Sequence, residues 1–380
     1  MTRATRSNKY TGRTSHLYLA FELGVEEWKL GFSTRDLGIK PRVRVMPARD
    51  LKRLRQEIAA AKQWFGMLTT AAVRSCYEAG RDGFWLHRYL TSVAIDNYVV
   101  DSASIEVNRR QRRAKSDRLD VRKLLGMLVR YHAGESKVWS VVRVPTVDEE
   151  DRRQLHRELR TLKKERARVT NRIQGLVANQ GIRLQNVRDL AALLDGIRLW
   201  DGSPLPAGLR ARLQREWEHA QFLHGKILEL EGERRRAITH DHGQAVEKVR
   251  QLLRLRAIGA NGAWVYVHEF FGWRQFRNRK EVGAAAGLTP TPYQSGDGSR
   301  EQGISKAGSR HIRAVAIEMA WCWLRYQPES RLSRWYQERF GRGGTRARKV
   351  GIVALARKLL IELWRFLEHG VIPEGAVLKA

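Results

Sequence analysis

Apolar residues follow two regimes along this chain. Up to about residue 107 they come in short runs with the two-residue alternation of strands, broken by segments with helical spacing. HLYLAFELGVEEWKLGFS (16–33) reads as two strands joined by a glycine-containing turn, and RVRVM (42–46) as a third. Residues 49–65 place Leu51, Leu54, Ile58 and Ala61 on one helical side. AAVRSCYE (71–78) reads as a strand, GFWLHRYL (83–90) as a helix, and 93–107 holds another strand. A helix then starts near Ser116, read as its N-cap, and runs through DRLDVRKLLGMLVRY. This order predicts an α/β domain with a mixed sheet.

From about residue 148 the period lengthens. Leu155, Leu159, Leu162, Val169, Ile173 and Leu176 form a heptad seam interrupted at Arg166, and Leu213, Trp217, Ala220, Ile227 and Leu230 mark a second helix. The irregular stretch DGSPLPAG (201–208) separates them, so the two helices form either an antiparallel pair or a dimerising coiled coil. Beyond residue 250, LRLRAIGANGAWVYVHEFF has two helical halves around IGANG, the look of a helix–hairpin–helix whose turn offers backbone N–H groups to phosphate. FRNRKEVGAAAGLTP follows, then TPYQSGDGSREQGISKAGSRHIR, read as a loop. A mostly helical tail contains the basic connector GRGGTRARK (341–349). The predicted organisation is a flexible basic arm (1–15), an α/β domain (16–147), a helical region (148–249) and a mostly α C-terminal domain (250–380).

Charge narrows the partners. Lys plus Arg number 71 against 40 acidic residues, a net charge of +31 over 380 residues, which predicts salt-sensitive binding to polyanions. A hydrophobic fraction of 42% with 12 Trp marks a folded protein and not a basic tail. No run of 18 apolar residues exists and the N-terminus has no apolar signal core, so a cytoplasmic, non-membrane protein is expected. Cys76 and Cys322 are the only cysteines. With no CxxC and no Cys/His framework a structural zinc site is not expected, and Cys76 reads as a buried filler.

Four carboxylates stand in an ordered spacing: Glu22 and Glu78 on or just after strands, and Asp117 and Asp120 three apart on one face of a helix start. Each alone reads as a cap or a helix N-terminal decoration favoured by the macrodipole. Together, in that order and in a basic chain, they point to a ribonuclease-H-like metal site, with Mg²⁺, or Mn²⁺ on the same oxygen donors, set against a phosphodiester. Lys115 and Arg118 flank the two aspartates and are candidate nucleic-acid contacts.

The second candidate site is the stretch around Ser295. Glycines at 296, 298 and 303 permit close backbone approach, and Lys306, Arg310 and Arg313 supply cations for a phosphate. A serine so placed can attack phosphorus. The residues alone leave open a phosphate-binding turn without a nucleophile, and leave Ser299, Ser305 and Ser309 equally available. THDHG (239–243) reads as surface loop, and His87, His268 and His311 show no partner in sequence.

These motifs resemble a known family. LYLAFELG, YEAGRDGFWL, KSDRLDVRKL, LRAIGANGAW, RKEVGAAAGLTP and QSGDGSREQGISKAGSRHIR look like those of the insertion-sequence "one-ten" family of DEDD transposases, over roughly residues 16–330. The resemblance implies a RuvC-like N-terminal domain, a coiled-coil middle and a C-terminal transposase domain. It implies an acidic tetrad at Glu22, Glu78, Asp117 and Asp120, where the first position is usually Asp, and a nucleophile at Ser295. It further implies a bridge RNA that pairs with donor and target DNA, strand exchange through phosphoserine, and a homodimer assembling into a tetramer at the bacterial nucleoid. IGANG stands where the family usually has IPGIG, so only Gly262 matches the second glycine. Two other readings compete: a metal-dependent, junction-resolvase-like nuclease using water, and a non-catalytic nucleic-acid-binding protein.

Overall fold

β1 (Leu17–Leu23) is apolar on both sides because both faces of its sheet are covered. In this computed structural model, which describes residues 16–35, 40–105, 117–295 and 298–379, the chain divides into two units between Pro145 and Thr146. The predicted arm at 1–15, Lys115, Ser116 and Gly296 lie outside the described residues, as do the side chains of Asp117, Arg118, Asp120 and Ser295.

In the first unit β1 is followed by β2 (Glu27–Ser33), β3 (Arg42–Pro47), α1 (Leu51–Trp64), β4 (Val73–Glu78), α2 (Trp85–Ser92), β5 (Asp96–Val100) and α3 (Asp117–His132). The five strands form one mixed sheet in the order β3-β2-β1-β4-β5. β2 runs antiparallel to both β3 and β1, while β4 is parallel to β1 and β5 to β4. Alternation divides the side chains cleanly. Leu17, Leu19, Phe21, Trp28, Leu30, Phe32 and Tyr77 join Leu54, Ile58 of α1 and Leu86, Leu90 of α2 in one core. Tyr18, Ala20, Cys76 and Val100 join Leu124, Leu125 and Leu128 of α3 in another. Burying an apolar side chain this fully contributes about 1.5–3 kcal/mol, so the odd–even split along β1 fixes the strand's register.

The second unit opens with α4 (Val147–Asp151), started by a capping box: Thr146 Oγ1 accepts from Glu149 N, and Glu149 Oε2 accepts from Thr146 N. Then come α5 (Gln154–Ala178), α6 (Leu190–Leu193) and α7 (Ala207–His240), whose 34 residues extend about 50 Å. The α5–α7 pair is antiparallel, pinned by Lys163–Glu231 at 2.6 Å, Arg166–His224 at 2.9 Å and Arg172–Glu216 at 2.8 Å. Of the two arrangements open in sequence, the heptad seam makes the pair within one chain: Val169 and Ile173 bury against Leu213, Ala220 and Leu223.

Next are α8 (Gln244–Leu253), α9 (Ala260–Tyr266) running into a π-helical turn (Val267–Phe271), and α10 (Arg279–Ala285). The segment read as a serine loop is instead an antiparallel hairpin of β6 (Pro290–Ser295) and β7 (Gly298–Ile304). Pro, Gly and polar residues hid it, since they carry no alternation. α11 (Arg310–Tyr326), α12 (Arg331–Tyr336) with a second π turn (Gln337–Gly341), and α13 (Thr345–His369) complete the unit. Its core packs Tyr266, Phe270 and Phe271 against Trp323 of α11 and Leu355, Leu359 and Leu363 of α13. Gln327, only 1% exposed, closes the far end: its Nε2 donates to the carbonyls of Arg256 and Val377, and its Oε1 accepts from Val377 N. Among the described residues no helix is long and apolar enough to cross a membrane.

Candidate nucleic-acid-processing site

In the first unit the sheet brings Glu22 and Glu78 together. β1 and β4 pair in parallel through Ala20↔Cys76 and Phe21↔Tyr77, and Glu22 and Glu78 are the next residue on each strand. Both take the even-numbered face occupied by Ala20 and Cys76, the face that α3 covers. Glu22 is half-buried, Glu78 is exposed, and Lys29 stands opposite Glu22 across the β1–β2 ladder. Opposite charges at directly paired positions attract.

α3 crosses this face antiparallel to β1. Its last residue, His132, lies beside Tyr18 near the start of β1, with ring centroids 5.9 Å apart. Val121 lies over Gly31, which pairs with Ala20 further along β1, and the Leu124 carbonyl meets Cys76 Sγ at 3.8 Å. The first turn of α3, which carries Asp117, Arg118 and Asp120, therefore starts at the end of the sheet that holds Glu22 and Glu78. Cys76 lies beneath the helix. Burial pushes its thiol far above the usual range, as expected for a filler and not a nucleophile.

In the second unit Ser295 is the last residue of β6 and pairs with Gly298 of β7. The hairpin is anchored at its base. Ser305 N donates to Thr289 O (2.8 Å), Lys306 N to Gly287 O (3.2 Å) and Ser309 N to Ala285 O (3.2 Å). Gly287 at φ +67° and Gly308 at φ +101° are required here, because a Cβ on the first would overlap the Ala307 carbonyl and one on the second the Ala285 carbonyl. The motifs GAAAGLTP and SKAGSRH are thus two halves of one joint between α10 and α11.

The cations divide by environment. Lys306, in the left-handed region at φ +56°, and Arg310 are exposed. Arg313 is half-buried and donates from Nη1 to Ala286 O at 3.1 Å. Ser309 is the N-cap of α11 and accepts from Ile312 N. IGANG runs from the α8–α9 connection into the first turn of α9. Its Gly262 lies in the first turn of α9, where a Cβ would overlap Met319 Cε, so this glycine permits close helix packing.

One constellation was invisible in sequence. His156 of α5, Glu269 of the π turn and His311 of α11 each bring a ligand atom within 4.8 Å of the others. Glu269 Oε1 meets His156 Nε2 at 2.8 Å, and Arg157 holds both carboxylate oxygens, Nε to Oε1 at 2.7 Å and Nη2 to Oε2 at 3.0 Å. Burial acts to raise the Glu269 carboxyl, but hydrogen bonds from His156 and Arg157 outweigh it and hold the group well below the usual carboxylate range. Burial, with Arg160 nearby, lowers His311 to about 4; burial, with His156 and Arg152, lowers His268 to about 3. His156 and Glu269 are 113 residues apart, too far for any spacing rule to pair them.

Comparison with known proteins places the chain. Residues 249–334, which span α9, α10, the serine hairpin and α11, match the Transposase IS116/IS110/IS902 family. A putative transposase, y4rJ, of Sinorhizobium fredii (strain NBRC 101917 / NGR234) is 43% identical over 312 residues, 80% of this chain and 78% of the relative. The transposase for insertion sequence element IS1328 of Yersinia enterocolitica is 27% identical over 230 residues, 60% of this chain and 66% of the relative. A probable family 20 transposase of Pseudomonas aeruginosa is 29% identical over 234 residues, again 60% and 66%. The protein is a transposase, an enzyme that cleaves and recombines DNA. It belongs to the IS116/IS110/IS902 transposase family.

Proposed function

We propose that this transposase is an RNA-guided DNA recombinase that exchanges strands through a phosphoserine link at Ser295, assisted by Mg²⁺ held on Glu22, Glu78, Asp117 and Asp120. The observation that carries the reading is the placement of Glu22 and Glu78 side by side on adjacent parallel strands, at the end of the sheet where α3 begins. The strand order and the covering helix are compatible with a ribonuclease-H-like, RuvC-like domain. Carboxylate oxygens on neighbouring strand ends are the donors that hard divalent cations take, so the residues fit the metal.

When bound, Mg²⁺, or Mn²⁺ in its place, supplies charge neutralisation at a phosphodiester. Ser295 Oγ attacks phosphorus and loses its proton. An O–P bond forms to serine, the bond to one sugar oxygen breaks, and that oxygen leaves as a free hydroxyl. The reverse attack by a hydroxyl of the other strand reseals the backbone and releases serine. Lys306 and Arg310 are exposed beside the hairpin, where they bind phosphate; Lys115 and Arg118 do so beside the aspartates, and Arg313 adds charge while fixing the joint. Base pairing by a structured noncoding RNA from the element selects donor and target DNA. The protein reads backbone and shape, assembles as a homodimer that pairs into a tetramer on DNA, and associates with the nucleoid.

The test uses purified protein, RNA transcribed from DNA flanking the gene, Mg²⁺ and labelled donor and target DNA, resolved on a denaturing gel. A protein-linked DNA band in wild type that vanishes in Ser295→Ala supports the reading. Free cleaved ends in both would replace it with hydrolysis by water, and the chain would be a metal-dependent nuclease.

A further inference from the structure

We infer that His156, Glu269 and His311 form a second metal site, separate from the acidic tetrad and selective for a zinc-type divalent ion. Three observations converge on it. The first is geometric: one nitrogen from each imidazole and one carboxylate oxygen lie within 4.8 Å of one another, close enough to share one ion. Two His and one Glu are a donor set of open, three-ligand zinc sites, which leave a fourth position for water or another oxygen.

The second is the state of the groups. His156 is 2% exposed, and its Nε2 faces Glu269 Oε1 at 2.8 Å. The His156 and His311 rings stack, with centroids 6.1 Å apart and planes 20° from parallel. Arg157 holds the carboxylate in a fork that fixes its plane, and a carboxylate with about four lone-pair sites can accept this fork and still coordinate. Arg157 then plays the part that outer-sphere partners play around metal carboxylates. Its charge, with Arg152, Arg153 and Arg160 nearby, works against any weakly held cation. That favours an ion with strong affinity for imidazole nitrogen over Mg²⁺.

The third is the backbone. Glu269 sits in a π-helical turn, Val267–Phe271, that continues and ends the α9 helix; such turns are rare and are frequent at functional positions. The ligands come from three segments: the first turn of α5, the π turn, and the second residue of α11. An ion here would tie α11, which leads directly out of the serine hairpin, to the long helix α5. We assign it that role: a clamp on the helix whose N-terminal joint sets the hairpin, independent of whether Ser295 is the nucleophile.

The experiment uses the full-length chain without an affinity tag, stripped with a chelator and titrated with Zn²⁺, and with Co²⁺ for its visible ligand-field bands. Wild type is expected to take one equivalent tightly and to melt at a higher temperature when loaded. His311→Ala should weaken that equivalent by about a hundredfold or more, beyond the cost of losing an outer-sphere partner. Glu78→Gln, which alters the acidic tetrad, should retain it. His311→Asn gives the same readout if the alanine variant folds poorly. No tight equivalent in wild type, or equal binding in wild type and both His311 variants, would overturn the site and leave an Arg157–Glu269 ion pair in its place.

Discussion

Val121 occupies the space over Gly31 that the Cβ of any other residue would need. This contact sets how closely α3 approaches the sheet, and α3 carries Asp117 and Asp120. Gly31→Ala is expected to destabilise the protein by about 1–3 kcal/mol, the scale of overpacking a filled core. Urea unfolding measures it. Metal-dependent DNA cleavage should fall as well, and Gly31→Ala combined with Val121→Ala should recover both. Simple addition of the two single effects would show that the contact does not position the helix.

The joint between α10 and α11 makes a second prediction. Gly308 adopts φ +101° against the Ala285 carbonyl, and Arg313 clasps the Ala286 carbonyl. Gly308→Ala carries backbone strain of about 1–3 kcal/mol and must push the two segments apart. Arg313→Met removes one charge-assisted bond, about 1.5 kcal/mol for a half-buried donor. Both variants should speed amide exchange of β6 and β7 and reduce strand transfer while the first unit's unfolding stays unchanged. Exchange confined to other segments would argue against the joint as the hairpin's anchor.

The strands were legible as short apolar runs such as LYLAF bounded by turn residues, and α5 as a packed helix because Val169, Ile173 and Leu176 keep the 4–3 spacing of a heptad; its pairing with α7 within the chain was one of two open arrangements. Glu22 and Glu78 were legible as strand-end carboxylates, and their shared face follows from parity once β1 and β4 pair in register. The β6–β7 hairpin was not legible: Pro290 and Pro292 lie within β6, and the polar residues of both strands leave no apolar period. Nor was the His156–Glu269–His311 group, since its members are joined only by tertiary packing of α5, the π turn and α11.

Thiol chemistry separates the two cysteines. Cys76 is fully buried beneath α3 with its thiol raised, whereas Cys322 is half-exposed. An alkylating reagent at pH 8 should modify Cys322 in the native protein and reach Cys76 only as fast as the first unit opens. Mass spectrometry of the labelled peptides checks this. Rapid native labelling at Cys76 would mean that α3 leaves the sheet easily, which would weaken any role for it in fixing Asp117 and Asp120.

The acidic face makes the sharpest prediction for the proposed chemistry. Glu22 follows Phe21 on β1, beside Glu78 and across from Lys29. If these carboxylates hold the metal, neutralising one removes a charge that stabilises the phosphoryl transition state. Glu22→Gln and Glu78→Gln should each slow Mg²⁺-dependent DNA cleavage by about 10²–10³-fold, the scale set by loss of one such group. Glu22→Asp keeps the charge and withdraws it by one C–C bond, toward the residue the family usually carries there. It should retain cleavage within about tenfold of wild type, a barrier change near 1.4 kcal/mol. Initial rates on labelled DNA with Mg²⁺, repeated with Mn²⁺, give the comparison. Full activity in Glu22→Gln would remove Glu22 from the metal set and leave Lys29 as the partner that explains its place on this face.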